Sequence, residues 1–360
     1  MLQSLFTEYV SKYFAGLVAQ VVILINGTKN PLTYRFKDML EKEYSLTGKW
    51  ESINSDNTTV AADIVSLDSS LPLKKRDALS SYTGDIPKTG ILKFLNEQQL
   101  QDLKDLIGRG TQIGQVIKNI FSDTKKVIAG VYERYEYMFL EALSTGITAT
   151  TDANNVGVLV RYDFGYKAAN KFGAASVVWS NGAATPLADI QRVLKKVSAD
   201  GNFVNKLMMD QYAFDNFCKA TDVKNLFAMS LNFSGSNILA PDLGQINRAL
   251  TNKFGITIEV VERSVRTEKN GQQTATKPWA EGNVIFIGRE KVGRLIWAEL
   301  AEMTFKAEGV DYQTADEYIL VSKWHEKNPL KEFTAAQARA IPVIDNVSEI
   351  YLLESKTVQV

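Results

Sequence analysis

The sequence predicts an α+β chain whose globular part is interrupted early by a long extended loop. Three features predict it. Residues 71–90, LPLKKRDALSSYTGDIPKTG, mix prolines, glycines and a run of charges, and no apolar residue recurs there at helical spacing. Residues 112–145 do the opposite. Ile117, Ile120, Phe121, Val127, Ile128, Val131, Tyr135, Met138, Phe139 and Ala142 recur at three- and four-residue steps, which is the apolar stripe of one long helix. The last third of the chain is built from short β-branched runs, the mark of strands.

The elements follow in order. Residues 3–22 read as an amphipathic helix, and Asn26-Gly27 as a turn. KWESINSDNTTVAADIV (49–65) and GILKF (90–94) read as two extended arms, and the charged stretch between them makes a two-stranded finger. Asn96, with Gln99 three residues later, is a capping box that opens a helix ending at Gly108. The 112–145 helix closes at Gly146 as a C-cap, and at ~1.5 Å per residue it would run about 50 Å. VGVLVRYDF (156–164) reads as a strand. Thr185-Pro186 then caps and starts the helix PLADIQRVLKKV. Strand FVNKLMMD (203–210), helices QYAFDNFCKA (211–220) and DLGQINRALTNKFG (242–255), and strand ITIEVVERS (256–264) come next. Residues 267–282 form a polar hairpin or loop, and VIFIG, EYILVSKW, IPVI and EIYLLES are strands.

Composition narrows the function. At 360 residues and 45% hydrophobic content the chain can bury a real core, in two or three domains or one elaborate domain. The 41 basic and 41 acidic residues cancel, which argues against a dedicated nucleic-acid binder, since such proteins carry a basic excess. Cys218 is the one cysteine, so no intrachain disulfide forms; His325 is the one histidine. Metal sites and Cys–His catalysis are poorly supplied, and no cofactor or metal is expected. The apolar run YFAGLVAQVVILING (13–27) is shorter than the ~20 residues that span a bilayer, so it reads as a buried helix or strand and no membrane partner is expected.

No motif carries catalysis. GRGTQIG (108–114) has the wrong spacing for a dinucleotide turn and follows a helix, so it reads as a helix break. Tyr132, Glu133, Arg134, Tyr135 and Glu136 read as a solvated helix face or a subunit contact. His325, beside Trp324, reads as a satisfied structural histidine, and Cys218, near Phe214 and Phe217, as a small core hydrophobe. What stands out is the finger. A long structureless loop is improbable unless it has a task, and an exposed β-arm is a liability unless another chain covers it. The finger is therefore expected to reach onto a neighbouring subunit.

Several stretches carry a family resemblance. TTVAADIVSLDSSLPLKKRDALSSYTGDIPKTGILKFLNEQQLQDL (58–103) resembles the extended-loop region of lambda-type phage major capsid proteins, the capsid protein E family. YERYEYMFLEALSTGITAT (132–150) resembles that family's spine-helix exit. VRYDFGY (160–166), VVWSNGAATPLADIQRVL (177–194) and VIDNVSEIYLLES (343–355) are similar to its following strands, helix lead-in and final strands.

The resemblance implies the Hong Kong 97-type capsid fold. On that map residues 1–48 are an N-terminal arm, 49–95 the extended loop, 96–180 a peripheral domain with the spine helix, 181–299 an axial domain, and 300–360 the strands completing the peripheral domain. It implies a non-enzymatic shell subunit that assembles through pentamers and hexamers into an icosahedral head around double-stranded DNA, held on the inner face without sequence specificity. Scaffolding, portal and decoration proteins are possible partners. The location is the virion, with assembly in the host cytoplasm. The expected inter-subunit contacts in the loop are Lys74, Lys75, Arg76, Asp85 and Lys88. An encapsulin-like nanocompartment shell and an α/β enzyme with residues 50–95 as a lid are the alternatives.

Overall fold

The computed structural model describes residues 2–26, 34–55, 79–108, 113–151, 155, 159–230, 240–269 and 271–359. The first elements are α1 (Thr7–Asn26), α2 (Arg35–Met39), β1 (Leu40–Tyr44), β2 (Lys49–Ser55), β3 (Leu79–Asp85) and β4 (Lys88–Leu95). Helices α3 (Glu97–Gly108), α4 (Ile113–Ile120) and α5 (Ser122–Thr145) follow, then β5 (Ile147–Ala149), β6 (Arg161–Asp163) and β7 (Lys171–Ala174). Next come α6 (Pro186–Ala199), β8 (Lys206–Met209), α7 (Gln211–Lys219), α8 (Thr221–Ser230), α9 (Leu243–Phe254) and β9 (Thr257–Val260). The last are β10 (Val265–Lys269), β11 (Gln272–Thr276), β12 (Asn283–Ile287), β13 (Gly293–Trp297), α10 (Ala301–Thr304), β14 (Asp311–Ala315), β15 (Ile319–Lys327), β16 (Leu330–Ile344) and β17 (Tyr351–Val358).

The chain divides into two compact units. One comprises Met1–Trp50, Thr83–Met138 and Arg294–Val343; the other comprises Glu51–Tyr82, Phe139–Gly293 and Ile344–Val360.

The first unit is built on a six-stranded sheet of order β1-β13-β16-β15-β14, with β4 also paired to β16. β15 and β16 form a hairpin from Ile319↔Ala338 to Lys327↔Leu330. β4 runs antiparallel to β16, from Lys88↔Arg339 to Leu95↔Glu332. Side chains alternate between the two faces of this ladder. Ile91 points at α5, where a Cβ added to Gly130 would come within 2.9 Å of it. α1 packs beside β14. Its buried residues Val10, Phe14, Val18, Val21 and Ile25 fall on one face at three- and four-residue steps, and Phe14 stacks on Phe121 at 6.0 Å.

Three expectations change here. The apolar N-terminal run is longer than the sequence reading has it: Thr7–Ile25 has mean hydropathy 1.4 and is long and apolar enough to cross a membrane by length and composition. The buried stripe accounts for one side of that apolarity. The returning arm of the finger is β3, not GILKF: β2 and β3 form a two-stranded sheet, and GILKF lies in β4 on β16. The single long helix is two. α4 ends at Ile120, and α5 restarts with Ser122, whose Oγ donates to the Asn119 carbonyl at 3.2 Å. Ser-Asp-Thr is a helix-starting composition, and it interrupts a stripe that is otherwise continuous. With 24 residues, α5 spans about 36 Å.

A charged pair is buried in the same sheet. Lys323 Nζ lies 3.5 Å from Glu332 Oε1, with the two side chains 1% and 0% exposed. The ammonium also donates to Thr334 Oγ1 at 3.1 Å. Glu332 accepts from the Ser4 hydroxyl and from the Leu5 amide at 3.1 Å. Burial pulls the Lys323 pKa down and Glu332 works against it. His325 sits nearby on β15: its Nδ1 meets the Gln3 carbonyl, and its backbone bridges Leu2. It is a satisfied structural histidine.

The second unit is built on a five-stranded mixed sheet, β7-β17-β12-β8-β9. β12 pairs antiparallel with β17 and β8, while β7–β17 and β8–β9 are parallel. Val284, Ile285, Phe286 and Ile287 of β12 are all buried, as expected of a central strand covered on both faces. The core gathers Trp179, Ile190, Phe217, Leu250 and Phe286. Trp179 donates its indole N–H to Asp189 at 2.9 Å and lies 5.8 Å from the Phe217 ring. Cys218 is buried in α7, and burial pushes its thiol up to about 12.

The predicted helix ends hold in detail, with one exchange. Asn96 and Gln99 make the reciprocal box at 2.9 and 3.0 Å, and Asp242 with Gln245 repeats it on α9. Gly255 closes α9 in the left-handed region. Pro186 starts α6, but Thr185 makes no side-chain cap; Asp222 accepts the Leu187 amide at 2.9 Å instead. The polar stretch after residue 265 is a hairpin, β10–β11. α8, which the sequence reading leaves unassigned, packs with α7 and α9.

Candidate subunit interface

The expected interface begins at the neck of the finger. Gly48, at φ +68°, turns the chain into β2. Its carbonyl accepts from the Ile86 amide and from Arg339 Nη2, both at 3.1 Å, while Arg339 Nε reaches the Ile86 carbonyl at 3.2 Å. One guanidinium on β16 thus ties the outgoing strand to the segment that returns. Trp50 and Ile86 are buried beside it. A Cβ at Gly48 would fall 2.4 Å from Arg339 Nη2. Gly48→Ala is therefore expected to cost at least about 1–2 kcal/mol, from the left-handed backbone alone. It should also displace Arg339 and speed proteolysis within residues 49–85. Cleavage at the wild-type rate would rule out the clamp.

Farther along β3, Tyr82 lies over Gly165, which sits at φ +72°; a Cβ there would meet the ring at 2.3 Å. Asp163 accepts the Gly165 amide at 2.9 Å and fixes that turn. The exit of α5 is as tightly specified. Gly146 takes φ +83° under the ring of Tyr166, whose hydroxyl donates to the Leu143 carbonyl at 3.0 Å. Glu141 accepts from Thr148 Oγ1 at 2.8 Å and from the Ala149 amide at 2.9 Å, which starts β5.

The charged face of α5 is not solvated. Tyr132, Tyr135 and Glu136 are fully buried. Residues 34–39 cover them: Tyr34 donates to Glu133 at 3.0 Å, and Glu136 accepts the Phe36 amide at 3.0 Å. Asp316 gathers Lys37 at 2.6 Å, Lys42 at 3.3 Å and the Tyr132 hydroxyl at 3.0 Å. Burial by itself would raise the Asp316 pKa; the two ammoniums and the hydroxyl outweigh it and hold the carboxyl below its ordinary value. The reading of this face as solvated fails because helical periodicity does not reveal that a distant segment lies on top.

Of the expected contact residues, Lys74, Lys75 and Arg76 lie outside the described residues. Asp85 is exposed at the end of β3. Lys88 opens β4, half exposed, with Glu302 at 3.4 Å. The structure brings Asp85 and Lys88 to the base of the finger. Sequence reasoning missed Gly48, Arg339 and Gly165, because their roles rest on partners distant in sequence.

Among the described residues no group of three or more His, Cys, Asp or Glu could hold a metal ion. The fold is similar to that of a protein assigned as the capsid protein of an Escherichia coli CFT073 prophage, at 13% identity over 78% of this chain and 79% of that one, with TM-score 0.52. A phage-related protein from Bordetella bronchiseptica RB50 matches at 11% identity over 94% and 96%, TM-score 0.54. A capsid chain of cyanophage A-1(L) matches at 8% identity over 92% and 96%, TM-score 0.50. No curated protein sequence matches at a significant level. The family model for phage major capsid protein E matches residues 36–353. The chain belongs to the phage major capsid protein E family.

A capsid protein of this family assembles into a multimeric shell and is part of the virion. The α+β, Hong Kong 97-type fold expected from the resemblance is the one observed. The match reaches back to Phe36, into the segment that covers α5 and ahead of the first stretch that carries the resemblance. The capsid protein's finger, neck clamp and α5 exit all fall within the matched residues.

Proposed function

We propose that this chain is the non-enzymatic building block of an icosahedral head that encloses double-stranded DNA. It assembles through pentamers and hexamers in the host cytoplasm. The family match over residues 36–353 is the observation that carries the reading. In this reading residues 1–48 are the arm, 49–95 the extended loop with β4 as the strand that roots it in the sheet, 96–180 and 300–360 the peripheral domain, and 181–299 the axial domain. The neck clamp supports the loop assignment, since a finger that docks on a neighbour needs a fixed base. Lys74, Lys75, Arg76, Asp85 and Lys88 make contacts between subunits. Many individually weak contacts add through effective concentration in a closed shell. Scaffolding, portal and decoration proteins are the remaining partners. DNA meets the inner face through its backbone, without sequence readout.

Light scattering with size-exclusion chromatography tests this directly. Megadalton particles or five- and six-subunit rings are the expected result, and nucleic acid inside the particles separates a head from a compartment filled with protein. A monomer at every concentration, also in the presence of its scaffold, would remove the reading. Reversing the charges of Lys74, Lys75 and Arg76 together is expected to lower particle yield while the unassembled chain keeps its helical ellipticity. Normal yield from that triple variant would discard those contacts.

A further inference from the structure

We propose that the open edge of β4 pairs antiparallel with β4 of a second copy of this chain, about a two-fold axis at Leu92. The proposal rests on the shell reading and adds the contact that joins two copies.

Three observations carry it. Among the described residues, β16 is the one strand paired with β4, so the other edge of this eight-residue strand presents backbone N–H and C=O groups with no strand beside them. Natural edges are commonly blunted with charge; here Lys88 and Lys93 are the charges on β4, and the middle of the outer face is apolar, with Leu92 52% and Phe94 47% exposed. Phe94 extends into an aromatic row across three strands. Its ring lies 6.0 Å from Phe333, and Phe333 stacks on Trp324 at 5.3 Å. Lys331 Nζ lies 4.1 Å from the Phe94 ring. The third observation is Gly90. It sits mid-strand and exposed, and a Cβ there would meet nothing closer than 3.6 Å. Among the described residues nothing requires glycine at this position, and glycine weakens a strand interior unless another group must approach closely.

The strand is complementary to itself about Leu92. With Leu92 opposite Leu92, Ile91 faces Lys93, Gly90 faces Phe94 and Thr89 faces Leu95 of the other copy. The Phe94 ring then covers bare backbone at Gly90, an aromatic–glycine cross-strand pair, twice by symmetry. Lys88 falls opposite Asn96 and beside Glu97, so no like charges are opposed. A second copy supplies this pattern by construction, and the contact is isologous, closing on itself. A register slip of one residue would set the second copy's Leu92 and Phe94 on the opposite face, and a slip of two would part each Phe94 from Gly90.

The experiment is Leu92→Cys in assembled particles, oxidised mildly and run on a non-reducing gel. Directly opposed residues in an antiparallel ladder lie roughly 4.5–5.5 Å apart at Cα, inside the range a disulfide bridges. The native Cys218 is buried. L92C is expected to run as a disulfide-linked dimer, while Leu46→Cys, at an isolated exposed site, stays monomeric. Particles in which L92C stays monomeric overturn the β4 contact and leave the shell reading standing. A dimer from L92C when the wild type forms no particles supports the contact and overturns the shell reading. Neither dimer nor wild-type particles overturns both. If the L92C chain folds but forms neither particles nor dimer while the wild type assembles, Gly90→Val decides. Its Cβ has room in the free subunit, so G90V should melt with the wild type and lose at least roughly tenfold in assembly constant. Wild-type assembly by G90V overturns the contact.

Discussion

Replacing Lys323 with alanine is expected to destabilise the unassembled chain by about 3–5 kcal/mol, because it leaves Glu332 charged and buried without its ion partner. The pair lies 3.5 Å apart at close to zero exposure. Glu332 would keep the Ser4 and Leu5 donors, but these are neutral. Most of the loss comes from the stranded carboxylate rather than from a missing attraction. A second variant isolates that cause. Lys323→Met with Glu332→Gln removes both charges and keeps an oxygen to accept the Leu5 amide, so it should recover at least half of the loss. Chemical unfolding followed by ellipticity measures both. A loss under about 1 kcal/mol for K323A would mean that water reaches the site and screens the charge. The effect should also release the N-terminal segment, since Ser4 and Leu5 are held by the same carboxylate. Faster cleavage before Thr7 is the matching observation.

Trp179→Ala is the counterpart in the other unit, with an expected cost of about 3–5 kcal/mol for an emptied aromatic site. Trp179 is almost fully buried and touches Phe217 at 5.8 Å. Its indole N–H also satisfies Asp189, whose other oxygen accepts the Ala175 amide at 2.8 Å and lies 3.5 Å from Arg192. Removing the ring opens a cavity and takes one donor from a buried carboxylate. Trp179→Phe separates the two terms: it keeps an aromatic ring and loses the hydrogen bond, for about 1–3 kcal/mol. Equal losses for the alanine and phenylalanine variants would show that the hydrogen bond, not the packing, holds the site.

These two sites were unequally legible. Trp179 was visible as an aromatic in a recognisable lead-in to Pro186. Lys323 and Glu332 were two ordinary charges in a strand-rich region, and nothing nearby in sequence marks them as buried. The same contrast runs through the interface. The finger was legible because prolines, glycines and charges in an extended run have few other uses. Its returning arm was misassigned because β3 and β4 are adjacent in sequence and both read as extended; only the ladder to β16 tells them apart.

Features whose hydrogen bonds close within a few residues are legible in local residue type and spacing. These are the Asn96–Gln99 box, the proline start of α6, the left-handed glycines at 146 and 255, and the apolar stripe of α5. Each depends on side chains three or four positions apart, which periodicity and residue type record directly. The remaining features come from long-range contacts. The Ser4–Glu332 contact joins residues 328 positions apart and the Arg339–Gly48 clamp joins residues 291 apart. β4 pairs with β16 rather than with β2, and residues 34–39 bury a helix face that reads as polar. Strand partners and coverings depend on which distant surfaces meet, and a linear pattern carries the face of each segment but not the identity of what packs against it.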